Sequence, residues 1–417
     1  MEPRRVVVTG LGALTPIGLT VSTYWESLLA GKSGAAPITR FDAEKFKTRF
    51  ACELKNFDAL NYISKKEAMR MDPCSHYAIA ATEEAIADSG IMLDAINKDR
   101  VGVVIGTGVG GFTSMMETAN AFVSNNREPR FSSYLLLKVL EDMVTGHISL
   151  KYGFKGPNYV TSSACASAAN ALSDAMHHLQ MGNADVMISG GTEAAIVEGA
   201  VGGFNAMRAL STRNDDPQRA SRPFDQDRDG FVMGEGAGIF VLETLEHALA
   251  RGAKIYGELA GVGMTAEAHH ETAPDPNGLA AVRSMQLALN AAHLLPGDVD
   301  YINMHGTSTQ LGDLSECNAV ENLFGEYADK IVLNSTKSMT GHLLGAGPAI
   351  ESIAILMSMR DSVIHPTINL EHLDARISPK WNFAADGPVQ KEVNVALSNS
   401  FGFGGHNVTL LYKKFVR

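Results

Sequence analysis

Short apolar runs alternate with amphipathic stretches along the whole chain. Arg5 to Thr9 and Val101 to Ile105 have the continuous apolar character of buried strands, and Gly10 to Gly18 reads as a glycine-bearing turn after the first of them. Residues 22 to 30 predict a short helix capped by Ser22 or Thr23, and Ser75 to Ser89 a longer one closed by Gly90. After Gly153-Phe-Lys-Gly-Pro157 a short strand meets an Ala-rich helix near residue 165, and Gly182 to Gly191 gives a turn and another strand. Gly234 to Leu242 enters a further strand, followed by a helix over Leu245 to Ala250. Around Arg251-Gly252 the rhythm starts again. A strand near 255 to 263 precedes a helix over Leu279 to Ala292, a strand over Val299 to Met304, a helix over Ser315 to Phe324 and a strand over Ile331 to Asn334. A helix over 349 to 360 and strands near 393 to 398 and 407 to 412 complete the pattern. Two similar α/β rhythms with no low-complexity linker predict an internally duplicated fold, helices on both sheet faces, divided as 1–252 and 253–417 and packed as one body.

Composition narrows the function. A chain of 417 residues has ample material for a core, and its net charge of −11 argues against a nucleic-acid binder with a basic face. Cys52, Cys74, Cys165 and Cys317 have neither Cys-x-x-Cys spacing nor a secretory leader before them, which predicts reduced thiols and no structural zinc site. The first residues run straight into a strand pattern, and no apolar run approaches the roughly 18 residues of a membrane span. A cytoplasmic protein without membrane or nucleic-acid partners is expected.

Cys165 is the first candidate for chemistry. It sits where a strand meets a helix, among Ser162, Ser163, Ala164, Ala166 and Ser167, small residues that allow a sharp turn and close approach to the sulfur. A thiol at a helix N-terminus is expected to favour its thiolate, and the alternative is a small buried cysteine filling a tight contact. Gly106-Thr-Gly-Val-Gly-Gly111 has the letters of a dinucleotide fingerprint, but the polar loop Asn125 to Arg130 stands where a second strand and its acidic residue belong. Asp225-Gln-Asp-Arg-Asp-Gly230 resembles a calcium loop, but Gly236 occupies the position of the bidentate carboxylate. His305 and His342 each stand at a strand end or in a glycine-flanked loop, where α/β sheets place ligands. His269, His270 and Glu271 read as a loop feature, and Lys65, Lys66 and Arg70 as a solvated basic face.

Thr161-Ser-Ser-Ala-Cys-Ala-Ser167, His305-Gly-Thr-Ser-Thr309, Lys337-Ser-Met-Thr-Gly-His342 and Asn399-Ser-Phe-Gly-Phe-Gly-Gly405 together resemble the β-ketoacyl-[acyl-carrier-protein] synthases, of the synthase II type. Arg219 to Val232 also matches, which accounts for the calcium-like letters. The resemblance spans essentially the whole chain and implies a thiolase-like five-layer αβαβα fold, a homodimer, and no metal or organic cofactor. It implies decarboxylative condensation of a malonyl thioester with an acyl chain carried on Cys165, with acyl carrier protein as partner. The backbone N–H groups of Cys165 and Phe403 would hold the oxyanion, and His305 and His342 the malonyl thioester carbonyl. Lys337, supported by Glu351, would orient the site, and Phe403 would gate it. Thr307, Thr309, Thr272, Phe401, Gly402 and Gly404 would contact substrate. Lys65, Lys66, Arg70, Arg127, Arg130 and Arg208 would receive the acidic carrier protein.

The chain departs from the family at several points. Ser132-Ser-Tyr-Leu-Leu-Leu-Lys138 replaces the usual aromatic and proline residues of the acyl-tunnel wall, and Met69 a usual basic residue of the carrier patch. Gln310 stands where proline commonly follows, and His406 where threonine does. The ketosynthase subunit of a type II polyketide or polyene pathway shares every catalytic residue and is the alternative. A thiolase would bring coenzyme A and a second cysteine near the C-terminus, but Cys317 is the last cysteine here.

Overall fold

The computed structural model describes residues 4–416, so the outermost ends of the two expected halves lie outside it. Ten strands form its main sheet: β1 Val6–Leu14, β2 Val101–Gly106, β3 Asn158–Thr161, β4 Val186–Glu193, β5 Gly236–Thr244, β6 Gly257–Ala266, β7 Tyr301–Asn303, β8 Val332–Asn334, β9 Val395–Gly402 and β10 His406–Lys413. Their order is β8-β7-β9-β10-β6-β1-β5-β4-β2-β3. Adding five to every label of the half β3-β2-β4-β5-β1 produces the other half, β8-β7-β9-β10-β6. Polarity repeats as well: β2 runs parallel to β3 and β4, and β7 parallel to β8 and β9. In both halves the remaining two pairings are antiparallel. Within the sheet, among the described residues, the halves join where β1 meets β6, through Val7 opposite Glu258 and Val8 opposite Gly257.

Helices make the other layers. Pro73–Ser89 packs on β1, β5 and β4, and its counterpart Leu279–Ala291 on β6 and β10. Between the half-sheets lie Ser167–Gln180 and Gly347–Asp361, in contact with each other and with strands of both halves. The result is the five-layer αβαβα fold. Ile350, Ile353, Ile355, Leu356, Met357 and Met359 of the second central helix are all almost fully buried. Each contributes about 1.5–3 kcal/mol by leaving water, before the conformational entropy cost of folding is subtracted.

Several expected boundaries move, for steric reasons. Gly10 to Leu14 continues β1 instead of turning, since the glycines serve packing: a Cβ on Gly12 would overlap the Ala81 carbonyl, and one on Gly10 that of Ala85. Gly106, the first glycine of the fingerprint-like run, likewise lies against the backbone of Ser167 and Ala168. The first helix is Val21–Leu29, capped by Thr20, with Thr23 completing a capping box. The long helix starts at Pro73, two residues ahead of the expected Ser75, with Asp72 as its cap. Phe112–Ser124 and Glu198–Ala206 are helices the periodicity did not reveal. Among the described residues no helix is long and apolar enough to cross a membrane.

Candidate active site

Cys165 lies on a strained elbow between β3 and the first central helix. A 3-10 turn spans Ala164–Ala166, and Ala164 takes φ 50°, a left-handed conformation unfavourable for a residue with a Cβ. Four hydrogen bonds hold it there. Ser167 Oγ accepts from the Ser163 N–H at 2.9 Å and donates to the Ala164 carbonyl at 2.7 Å, Asn170 Nδ2 donates to Ser163 Oγ at 2.6 Å, and Thr161 Oγ1 donates to the Ser167 carbonyl at 2.9 Å. The duplicated half repeats the elbow at Leu344–Ala346, with Leu344 at φ 47°.

A cavity of about 690 Å³ has Cys165 in its wall together with His305, His342, Phe401, Gly402 and Phe403. His305 follows β7, and the carboxylate of Glu316 pins its turn, accepting from the N–H groups of His305 at 2.8 Å and Gly306 at 2.9 Å and from Asn399 Nδ2 at 3.0 Å. His342 belongs to the loop after β8, and its N–H donates to the Val232 carbonyl at 2.7 Å. The two imidazoles stand 5.4 Å apart at 88°, and Phe401 lies 5.8 Å from His305. Both Nδ1 atoms are buried without a hydrogen-bond partner among the described residues, so Nε2 is the nitrogen each ring offers to the cavity. Lys337 Nζ, outside the cavity lining, donates to Glu351 Oε1 at 2.5 Å, with both side chains 1% exposed.

The glycine-rich segment closes one side. A Cβ on Gly402 would come within 2.8 Å of the Ser163 carbonyl oxygen and 3.2 Å of the Cys165 nitrogen, so glycine there lets the strand end touch the elbow. The Phe403 backbone N–H reaches Cys165. Gly404 and Gly405 turn the chain through φ 85° and 77°, and the Gly404 N–H donates to the Glu271 carbonyl at 2.8 Å. Gly404 is exposed and outside the cavity lining.

Electrostatics differ from the sequence expectation at the nucleophile candidate. Burial pushes the Cys165 thiol up to about 12, assisted by Glu193 and Glu351 and opposed by Lys337 and the Phe403 N–H. The Cys165 side chain is half-buried in the cavity wall, and desolvation there opposes the thiolate that helix position alone predicts. Burial, reinforced by Lys337, holds both histidines well below the usual imidazole range, so both rings are neutral at neutral pH.

Thr307, Thr309 and Thr272 also line the cavity, and the Thr307 and Thr309 hydroxyls meet at 3.0 Å. Of the six basic residues expected to receive a carrier protein, the structure brings Arg208 to the cavity and leaves Lys65, Lys66, Arg70, Arg127 and Arg130 away from its lining. Arg70 lies half-buried over the Tyr134 ring at 4.8 Å, and Arg130 pairs with Glu128 at 2.9 Å. The segment 132–138 forms a turn leading into the short helix Leu135–Val139, with Leu136 and Leu137 exposed. Among the described residues His269 and His270 belong to no group that could hold a metal ion, and His270 Nδ1 accepts from the N–H groups of Thr272 and Ala273. Asp225 is spent on the Asp227, Glu371 and His372 N–H groups and the Arg222 guanidinium. Glu316 and Glu193 escaped sequence reasoning, since their partners are backbone amides remote in sequence.

Residues 3–248 match the description "Beta-ketoacyl synthase, N-terminal domain", and residues 256–371 "Beta-ketoacyl synthase, C-terminal domain". The chain is 49% identical over 415 residues to a protein of Synechocystis sp. named 3-oxoacyl-[acyl-carrier-protein] synthase 2, covering 100% of this chain and 99% of that one. It is 48% identical over 418 residues to the protein of the same name in Staphylococcus aureus strain COL, covering 99% of each. Among solved structures it resembles a ketosynthase in complex with a type II polyketide acyl-carrier protein, with a TM-score of 0.92, 33% identity and full coverage of both chains. It resembles a β-ketoacyl synthase from Burkholderia phymatum as closely, with a TM-score of 0.92 and 33% identity over 99% of this chain and 100% of the other. With both of its domain descriptions matched and its relatives aligned end to end, this chain belongs to the β-ketoacyl synthase family.

Proposed function

We propose that the chain catalyses decarboxylative Claisen condensation of malonyl-acyl-carrier-protein with an acyl group carried on Cys165, yielding 3-oxoacyl-acyl-carrier-protein in type II fatty-acid elongation. The observation that carries this reading is the convergence of Cys165, His305 and His342 on one cavity in a chain whose full-length relatives bear the name 3-oxoacyl-[acyl-carrier-protein] synthase 2. Residues 1–252 supply the nucleophile and 253–417 the two histidines.

In the first half-reaction the Cys165 sulfur attacks the thioester carbonyl of an acyl carrier protein. The N–H groups of Cys165 and Phe403 receive the oxyanion, and the carrier thiol leaves with the proton that Cys165 gives up. With the thiol near 12, that proton departs as the carbon–sulfur bond forms, and the Phe403 N–H and the Lys337 charge favour the developing negative sulfur. In the second half-reaction the malonyl thioester carbonyl accepts from the two neutral imidazoles. Carbon dioxide departs, leaving its electron pair in an enolate that those hydrogen bonds stabilise. The enolate carbon attacks the acyl-Cys165 thioester, Cys165 leaves as thiolate and regains a proton, and the chain is two carbons longer. Thr307, Thr309 and Thr272 line the approach for the pantetheine arm, with Phe401 beside His305 and Phe403 as the gate.

The partners are acyl carrier protein and a second copy of the chain. Arg208 at the cavity supports the first, with Lys65, Lys66, Arg70, Arg127 and Arg130 as the more distant basic face. The second is supported by the uncovered edge strand β3 and by exposed apolar side chains close by in sequence, including Val123, Phe131, Leu136, Leu137 and Leu140. Activity in the cytoplasm follows from the same reading. Incubation with acyl- and malonyl-loaded carrier protein tests it, and absence of 3-oxoacyl product sinks it. The resemblance to polyketide ketosynthases favours a second reading, in a polyketide or polyene pathway. It is tested by supplying malonyl-carrier alone with a short primer: repeated unreduced condensation on one carrier supports it, and a single condensation supports fatty-acid elongation.

A further inference from the structure

Glu193, the last residue of β4, is a fully buried carboxylate that forms no ion pair among the described residues. Its oxygens accept four hydrogen bonds from two different places in the fold. Oε2 accepts from the Gly108 N–H at 2.8 Å and from the Gly345 N–H at 2.9 Å. Oε1 accepts from Thr107 Oγ1 at 3.2 Å and the Val109 N–H at 3.3 Å, and Thr107 Oγ1 in turn accepts from the Gly110 N–H at 3.1 Å. The Thr107–Gly110 turn follows β2 in the first half, and Gly345 is the centre of the second-half elbow, the position equivalent to Cys165. The two backbones touch: a Cβ on Gly345 would overlap the Gly108 nitrogen and come 2.8 Å from Glu193 Oε2. Gly108 and Val109 from one turn and Leu344 from the other are all in the wall of the cavity that holds Cys165.

We infer that Glu193 is a positioning residue that sets which acyl chains the Cys165 cavity accepts, by clamping Val109 of one half and Leu344 of the other into a single wall. This rests on Cys165 carrying the acyl group. Several amides directed at one carboxylate fix both segments at once; among the described residues no basic side chain pairs with Glu193, and its charge acts on the thiols of Cys165 and Cys74. The clamp needs an ionised carboxylate. A proton on either oxygen turns an acceptor into a donor that faces an N–H, and an amide does the same permanently. Burial and the four donors leave the group near neutrality, at about 7. Lowering the pH through that value therefore loosens the wall in the native protein.

The test is acyl transfer from carrier protein to the full-length enzyme, read by intact mass for acetyl, octanoyl and palmitoyl groups at about pH 8 and about pH 6. In Glu193→Gln the palmitoyl-to-octanoyl rate ratio should change by about tenfold, while transfer of acetyl, too short to meet the wall, does not fall, since losing the Glu193 charge also relieves the raised Cys165 thiol. The native ratio should drift toward the variant's between pH 8 and pH 6, and the variant's should not move with pH. Thr107→Val, which removes one donor, should shift the ratio in the same direction by a smaller factor and serves if Glu193→Gln does not fold. An equal fall for all three groups, or a ratio independent of both substitution and pH, overturns the inference. If the unaltered enzyme takes up no acyl group on Cys165, the condensation reading itself fails.

Discussion

Replacing Lys337 with methionine removes the cation facing Glu351 while keeping an apolar stem of similar length. Both partners are 1% exposed, Nζ lies 2.5 Å from Oε1, and Glu351 Oε2 has no hydrogen-bond partner among the described residues. Breaking a buried pair by deleting one member costs about 3–5 kcal/mol, chiefly for the charge left behind. Burial already raises the Glu351 carboxyl and Lys337 opposes it, so the variant's carboxyl rises further. A carboxyl whose folded value lies above its unfolded one stabilises the fold fully below the unfolded value and loses that contribution as pH rises through the folded value. The deficit of Lys337→Met should thus be largest near about pH 8 and shrink toward about pH 5. Denaturant midpoints at several pH values measure it, alongside separate assays of malonyl decarboxylation and acyl transfer. Decarboxylation should fall more than transfer, because, beyond burial, Lys337 lowers both His305 and His342, the two rings that receive the malonyl carbonyl, and its loss lets them take up protons. The double variant Lys337→Met/Glu351→Leu should recover most of the stability, since apolar replacements for a buried ion pair are often neutral or better. It should not recover decarboxylation. A single variant as stable as the parent at pH 8, or a double variant that decarboxylates normally, refutes the reasoning.

Two further outcomes are expected. With the Cys165 thiol at about 12, roughly one part in 10⁵ is thiolate at pH 7; iodoacetamide labelling followed by peptide mass analysis should accelerate about tenfold per pH unit up to about pH 9 with no plateau. A plateau near pH 7 would restore the activated-thiolate picture. Leu136→Glu combined with Leu137→Glu places two charges among exposed apolar residues, and on the proposed dimer light scattering should report two copies for the parent and one for the variant.

The candidate residues could be picked out because each stands in a contiguous run with glycine or serine close to the candidate side chain. Cys165, His305 and His342 each belong to such a run, and the fold brings all three to one cavity. The duplication was legible as well, from the repeated strand and helix rhythm. What escaped depended on partners distant in sequence. Gly10 and Gly12 look like a turn because nothing local shows that the Ala81 and Ala85 carbonyls press against them. Phe112–Ser124 starts at Gly111 without a side-chain cap, and Glu198–Ala206 contains three glycines, so neither carried the usual helix signals. The Gln310–Phe324 helix starts five residues ahead of the expected Ser315, with Gly312 inside it against the Thr309 hydroxyl. Cys165 taught the clearest lesson: its position before a helix was readable, but the burial that dominates its protonation was not.

In the proposed reaction Cys165 carries the acyl chain and the two histidines act on the malonyl thioester. It is tested most directly by intact mass spectrometry of the full chain mixed with acyl-carrier protein, followed by malonyl-carrier protein. The account predicts a single acyl adduct that maps to Cys165, is absent in Cys165→Ala, and is discharged as a 3-oxoacyl product when malonyl-carrier is added. An adduct on another residue, or a product formed by Cys165→Ala, would contradict it.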